Sequence, residues 1–187
     1  MGVSALKIVC LGDSNTYGYD PRGYISGQYP KENQWPHLLA LQTGHDCFNA
    51  GSNGRQTKLD SYTQRWLQAQ PDAELLLIML GTNDLLQGAS AEETAIQMEA
   101  CLISLMPHWK QILLISPPPM KRGSWVINDS RVEESLRLAE EYRELANKLQ
   151  ISFVDTRFWD IELAFDGVHF TQEGHRAFAD QLAKHIP

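Results

Sequence analysis

The chain is predicted to fold as an α/β protein in which a parallel sheet of about five strands is covered by helices on both faces. Three observations lead there. Short apolar runs recur at residues 7–11, 47–50, 75–80, 112–115 and 151–154, with helix-patterned segments between them, the alternation expected of βαβ units. The run Leu75-Leu76-Leu77-Ile78-Met79-Leu80 carries no polar alternation, as a central strand buried on both sides requires. Capping signals stand in the segments between the runs, where helices should open. A length of 187 residues suits one domain with a substantial core and is short for two, so residues 1–187 are read as a single domain.

Taken in order, the first strand stops abruptly in Gly12-Asp13-Ser14-Asn15. A polar side chain at the carboxyl end of such a strand sits where open α/β sheets bind ligands; the plainer alternative is that Asp13 or Ser14 caps the next helix. Residues 16–34 form a long stretch holding Tyr17, Tyr19, Tyr24 and Tyr29 among glycine and proline, read as an ordered wall of a site. Trp35-Pro36-His37 places a proline where a first helical turn tolerates it. Ser90-Ala91-Glu92-Glu93 reads as a capping box before a face carrying Ile96, Leu102, Ile103 and Met106. Ser130-Arg131-Val132-Glu133 reads as a second, opening a stripe of Val132, Leu136, Ala139, Ala146 and Leu149. Residues 117–129, with three consecutive prolines and Trp125, form a second long loop, either a site wall or plain surface. The last helix should begin near Thr171.

Composition excludes some functions. Hydrophobic content of 43% and charged content of 21% are ordinary for a globular protein. The net charge is −7, from 16 Lys+Arg against 23 Asp+Glu, so no basic stripe offers itself to nucleic acid or to an anionic membrane. No apolar run approaches the roughly 18–20 residues of a membrane span. The amino terminus shows no charged n-region or cleavage site, which points to the cytoplasm. Cys10, Cys47 and Cys101 are odd in number and lack metal-type spacing; they are read as reduced core residues. A homo-oligomer is left open.

The strand ends carry the chemistry. Gly12-Asp13-Ser14-Asn15 follows the first, Gly51-Ser52-Asn53-Gly54-Arg55 the second and Gly81-Thr82-Asn83-Asp84 the third, with Asp166-Gly167-Val168-His169 near the end. In a parallel sheet such ends lie along one edge and can converge on a single crevice. Each piece has a use in acyl transfer. Ser14 would attack once a base takes its proton; His169 would be that base, and Asp166, three residues earlier, would hold its tautomer. Gly54 would let the backbone approach an anion, and Asn83 brings a neutral amide donor, so that both could join the Ser14 N–H in an oxyanion hole. The same residue types also serve as turn serines, helix caps and surface histidines. Asp166, His169, Glu173 and His175 lie close in sequence, but their spacing is not that of a metal site and no second cluster supplies ligands; no metal and no cofactor are expected.

Together these four pieces resemble the blocks of the GDSL/SGNH hydrolase family, named for its Ser, Gly, Asn and His, over nearly the whole chain. Gly12-Asp13-Ser14 resembles the block of the nucleophile, Gly81-Thr82-Asn83-Asp84 that of the oxyanion asparagine, and Asp166-Gly167-Val168-His169 that of the acid and base. For the second block the resemblance favours Gly54 over Gly51. It departs at Asn15, which stands where the family name has leucine. The resemblance implies a three-layer α/β/α sandwich with a five-stranded parallel sheet in flavodoxin-like order. It also implies a serine carboxylic-ester hydrolase, and the polar, tyrosine-rich stretch after Ser14 favours as its partner a small-molecule ester of acetyl type, such as an acetylated sugar or an aryl ester. A thioesterase or lysophospholipase with a longer acyl groove is the alternative, as is a carbohydrate-binding module of the same fold without turnover.

Overall fold

The computed structural model describes residues 5–23, 27–70 and 72–187; the reading of the amino-terminal Met1 to Ser4 and the place of Tyr24 in the tyrosine-rich stretch lie outside them. Five strands form one parallel sheet: β1 (Lys7–Gly12), β2 (Asp46–Gly51), β3 (Leu75–Met79), β4 (Gln111–Ile115) and β5 (Ser152–Val154), in spatial order β2-β1-β3-β4-β5. The helices in chain order are α1 (Ser14–Tyr17), α2 (Trp35–Thr43), α3 (Ser61–Gln68), α4 (Thr82–Leu86), α5 (Ala91–Leu105), α6 (Asp129–Leu149) and α7 (Gln172–Leu182). The chain leaves β1 toward one edge of the sheet and leaves β3 toward the other. Their carboxyl ends therefore flank the switch point where this architecture opens a crevice.

Side chains alternate across the sheet, and the two resulting faces build two cores. Val9, Leu11, Leu76, Ile78 and Leu114 pack with Leu67 of α3, Met98 and Leu102 of α5, and Leu138 and Tyr142 of α6. Ile8, Cys10, Leu77, Met79 and Ile115 pack with Trp35 and Leu39 of α2 and with Phe178 and Leu182 of α7. This is the expected α/β/α sandwich.

Local details differ from the sequence reading where two signals compete. The Ser90 box forms: Glu93 N–H donates to Ser90 Oγ at 3.1 Å and Ser90 N–H to Glu93 Oε2 at 2.8 Å. The Ser130 box does not, because Asn128, two residues earlier, caps α6 by accepting from the Arg131 N–H. Ser130 then lies inside the helix and donates to Asn128 instead. The faces also shift. Ile96 and Ile103 of α5 are 62% and 54% exposed while Ala91, Ala95, Met98 and Cys101 are buried. On α6 Leu136 is exposed and Ser135, Leu138, Tyr142 and Leu145 turn inward. Each of these helices carries two candidate stripes, and small residues such as Ala91 and Ala95 let the helix lie closer than branched ones would. Cys10 and Cys101 are buried, but Cys47 is only half-buried, since β2 is an edge strand with one side unpaired.

Candidate active site

The serine sits at the junction of β1 and α1. Asp13 caps the helix, its Oδ1 accepting the Asn15 N–H at 2.9 Å, so the capping role and the delivery of Ser14 fall to different residues. Ser14 is 7% exposed, and its Oγ lies 3.0 Å from Nε2 of His169. On the far side of the ring Nδ1 lies 2.7 Å from Oδ2 of Asp166. The other carboxylate oxygen accepts the N–H groups of Val168 and His169, both at 2.9 Å. Burial pushes the Asp166 carboxyl up, but the bond from the His169 ring and the two backbone bonds outweigh it and hold the group below its ordinary range. An ionised Asp166 can only accept, so the ring proton stays on Nδ1 and Nε2 is left to accept from the Ser14 hydroxyl. Three residues joined in this order can move a proton off a serine.

Gly54 and Asn83 are brought together through the residue between them in the network. Asn83, on the first turn of α4, donates from Nδ2 to the carbonyl of Arg55 at 3.1 Å. The Arg55 guanidinium donates in turn to Gly12 O at 3.0 Å and to Ala50 O, tying this loop to the ends of β1 and β2. Gly51 and Gly54 differ in kind. Gly51 ends β2, where a Cβ would run into the backbone of Thr16 and Tyr17; Gly54 has φ +73° and open space where a Cβ would sit. Asp84, the last residue of the Gly81-Thr82-Asn83-Asp84 turn, does not cap α4. It instead reaches the opposite loop, accepting from Thr57 Oγ1 at 2.6 Å and from the Thr57 N–H at 3.1 Å. Burial raises its carboxyl above the usual value, and the bonds from Thr57 pull against that rise.

Both long loops close on the histidine. The Tyr19 ring lies 4.6 Å from the His169 ring, tilted by 55°, and Trp125 meets it edge-on at 5.0 Å. The second loop is stapled to the His169 segment by Lys121 N–H to Gly167 O (2.9 Å), Ser124 N–H to Phe165 O (3.1 Å) and Trp125 N–H to Asp166 O (3.1 Å). Trp125 nonetheless remains 54% exposed.

Three features were not visible in sequence. The Asn15 side chain bonds to the backbone on both sides of His169, over a separation that no local pattern encodes. Asp13 is almost fully buried, and desolvation raises its carboxyl to about 6 in spite of the Asn15 N–H and the nearby His169 and Arg55. His175 is buried against Phe170 and Tyr29, accepts the Trp35 N–H at Nδ1, and is pushed by burial and by His169 down to about 3. It thus turns into the core, while Glu173 pairs with Arg176 at the surface. Among the described residues no group of three or more His, Cys, Asp or Glu could hold a metal ion.

A family model of the GDSL-like lipase/acylhydrolase family matches residues 10–177, and the chain belongs to that family. Ester hydrolysis is its class of chemistry, and the chain is an esterase of GDSL type. The solved structures most similar to it include an aryl esterase of M. smegmatis, with 25% identity and a TM-score of 0.87 over 97% of this chain and 98% of that one. A carbohydrate acetylesterase family member from Sinorhizobium meliloti aligns with 28% identity and a TM-score of 0.83 over 96% of both chains. A mutant of a Geobacillus acetyl-xylooligosaccharide esterase shares the fold, with 20% identity and a TM-score of 0.73 over 98% and 95% of the two chains. No curated protein matches the chain in sequence. No helix among the described residues is long and apolar enough to cross a membrane.

Proposed function

We propose that this chain is a cytoplasmic serine carboxylic-ester hydrolase that works through an acyl-enzyme on small, acetyl-type esters of aryl or sugar alcohols. The observation that carries the reading is the unbroken chain from Ser14 Oγ through His169 to Asp166, with contacts of 3.0 and 2.7 Å. Nε2 of His169 takes the hydroxyl proton as Ser14 Oγ attacks the carbonyl carbon. Asp166 keeps its charge, orients the ring and stabilises the imidazolium. His169 then returns the proton to the leaving alcohol, and the same steps with water release the acid.

The negative oxygen formed on attack is held by the Ser14 N–H, the Gly54 N–H and the Asn83 amide. Ser14 opens α1, where the first N–H groups have no partner within the helix. Asn83 spends one of its two amide hydrogens on Arg55 and keeps the other. Gly54 is favoured over Gly51 because open space surrounds it, whereas Gly51 is occupied with the close approach of Tyr17. One such donor is worth a factor of about 100–1,000 in rate.

The preference for small acyl groups rests on enclosure: Ser14 is almost buried and Tyr19 and Trp125 stand at His169. The M. smegmatis and Sinorhizobium neighbours, an aryl esterase and a carbohydrate acetylesterase family member, support the choice of alcohols. Purified protein should hydrolyse p-nitrophenyl acetate, and Ser14→Ala should not; equal rates for the two would overturn the mechanism. In a series of acyl lengths, a rate maximum at octanoyl or beyond would overturn the acetyl preference and favour a thioesterase or lysophospholipase.

A further inference from the structure

We propose that Asn15 is a positioning residue that sets the distance between Ser14 and His169 by clamping the backbone on both sides of the histidine. The proposal rests on the ester-hydrolase reading above. Asn15 Nδ2 donates to the carbonyl of Val168 at 3.0 Å, and Asn15 Oδ1 accepts the N–H of Phe170 at 2.9 Å. One side-chain amide thus stands in for a rung of a β-ladder to the residues immediately before and after His169. The side chain is buried, with 5% exposure. Its own N–H is held by Asp13 Oδ1 at 2.9 Å, so it is fixed at both ends.

The need for such a clamp follows from the topology. Ser14 is placed by β1, which is paired on both sides within the sheet, but the segment from Asp166 to Phe170 belongs to none of the five strands. It is held from its other side, by Lys121 N–H to Gly167 O and by Ala164 N–H to His169 O. The sheet therefore does not set how far the base lies from the serine. Asn15 does, because it is covalently next to Ser14 and bonded to both neighbours of His169.

The residue type is specific. An amide of this length offers one donor and one acceptor to a buried C=O and N–H two residues apart. Leucine, the residue in the family's name, offers neither. Aspartate keeps the acceptor for Phe170 and loses the donor for Val168. In either case a buried backbone group is left without a partner, and the segment shifts or takes up water to satisfy it.

The test compares Asn15→Leu and Asn15→Asp with wild type on p-nitrophenyl acetate, with Ser14→Ala as control. Misplacing a reacting group by about 1 Å costs on the order of 100-fold, so kcat of Asn15→Leu should fall by about 30- to 100-fold while KM stays within about twofold. Asn15→Asp should fall as well, since its carboxylate then faces the Val168 carbonyl oxygen to which it cannot donate. The downfield proton resonance expected for His169 Nδ1–H in wild type, from its 2.7 Å contact with Asp166, should shift or broaden in both variants. A folded Asn15→Leu whose kcat is unchanged, or whose loss lies in KM alone, overturns the proposal; should that variant fail to fold, Asn15→Asp decides on the same criteria. If Ser14→Ala itself retains activity, the proposed serine mechanism falls and the clamp with it. An inactive Ser14→Ala beside a fully active Asn15→Leu removes the clamp alone.

Discussion

Thr57 donates its hydroxyl to Asp84 at 2.6 Å and its N–H to the same carboxylate at 3.1 Å, fastening the loop after β2 to the helix after β3. The two strands are not neighbours in the sheet, since β1 runs between them. One side of this bridge carries Gly54 and Arg55 and the other carries Asn83, so the bridge holds the proposed oxyanion donors in register. Thr57→Val keeps the shape and removes the hydroxyl donor from a buried carboxylate. A hydrogen bond to a charged group contributes about 1.5–3 kcal/mol, and a loss of that size should appear in urea unfolding. Turnover of p-nitrophenyl acetate by the folded variant should also drop, by about tenfold, because the donors loosen. Unchanged turnover in a destabilised variant would mean that the bridge supports the fold and not the site.

Asp166→Asn tests the direction of the proton relay. The amide oxygen can still accept the N–H groups of Val168 and His169 that Oδ1 accepts at 2.9 Å, so the turn should survive. The NH2 group then faces Nδ1 of His169 and forces the ring to accept there and to carry its proton on Nε2. In that tautomer Nε2 cannot take the hydroxyl proton of Ser14. The expected result is a fall in kcat of about 1,000- to 10,000-fold with little change in thermal stability, together with slow labelling of Ser14 by a fluorophosphonate. Labelling at the wild-type rate would contradict the relay.

Much of this arrangement was legible in the chain because it is written locally. The uninterrupted apolar run of β3 announces a central strand, and the Ser90-to-Glu93 box forms as its spacing implies. Ser14, Gly54, Asn83, Asp166 and His169 could be singled out because each stands at the end of a strand or in a tight turn. What escaped was decided either by a competing local signal or at long range. Asn128 captured the helix start that Ser130 signalled, because its side chain accepts the Arg131 N–H and the helix then begins two residues earlier, with Ser130 inside it. Leu136 and Ile96 look like core residues on a helical wheel, yet the phase of α5 and α6 is set by how closely their small residues approach each other and the sheet. The bonds of Asn15 to the flanks of His169, and of Asp84 to Thr57, join residues far apart in sequence and leave no periodic trace.

His175 makes acid stability a readout of the core behind the site. Its folded value is about 3 against 6.5 when unfolded, so below pH 6.5 the unfolded chain binds a proton that the folded chain refuses. Stability from this group is therefore complete above pH 6.5 and falls by about 1.4 kcal/mol per pH unit as the pH drops toward 3. Asp13 works in the opposite sense. Its folded value of about 6 lies above the ordinary 3.8, so the folded state binds the extra proton between these values and gains stability as the pH falls through that window. Comparing His175→Gln, which keeps an acceptor for the Trp35 N–H, with wild type cancels the Asp13 contribution. Between pH 7.5 and 4.5 the variant should gain about 2–3 kcal/mol relative to wild type in urea unfolding. A constant difference across that range would show that His175 does not resist protonation.

Trp125 offers a test of which side of the ester meets the aromatic wall beside His169. In the proposed mechanism the proton that His169 returns goes to the leaving oxygen, so the leaving group passes beside the His169 ring, and Trp125 stands against that ring at 5.0 Å with half its own surface exposed. An aromatic or sugar ring in the leaving alcohol can lie on the exposed indole, a contact worth about 0.5–1.5 kcal/mol, while a methyl or ethyl group cannot. Trp125→Ala keeps the backbone bond from residue 125 to Asp166 O and removes only the indole. The expected outcome is a fall of about 3- to 10-fold in kcat/KM for phenyl acetate and for acetylated sugars, with ethyl acetate left within about twofold. Equal losses on all three esters would assign the tryptophan to the placement of His169 and remove it from substrate recognition.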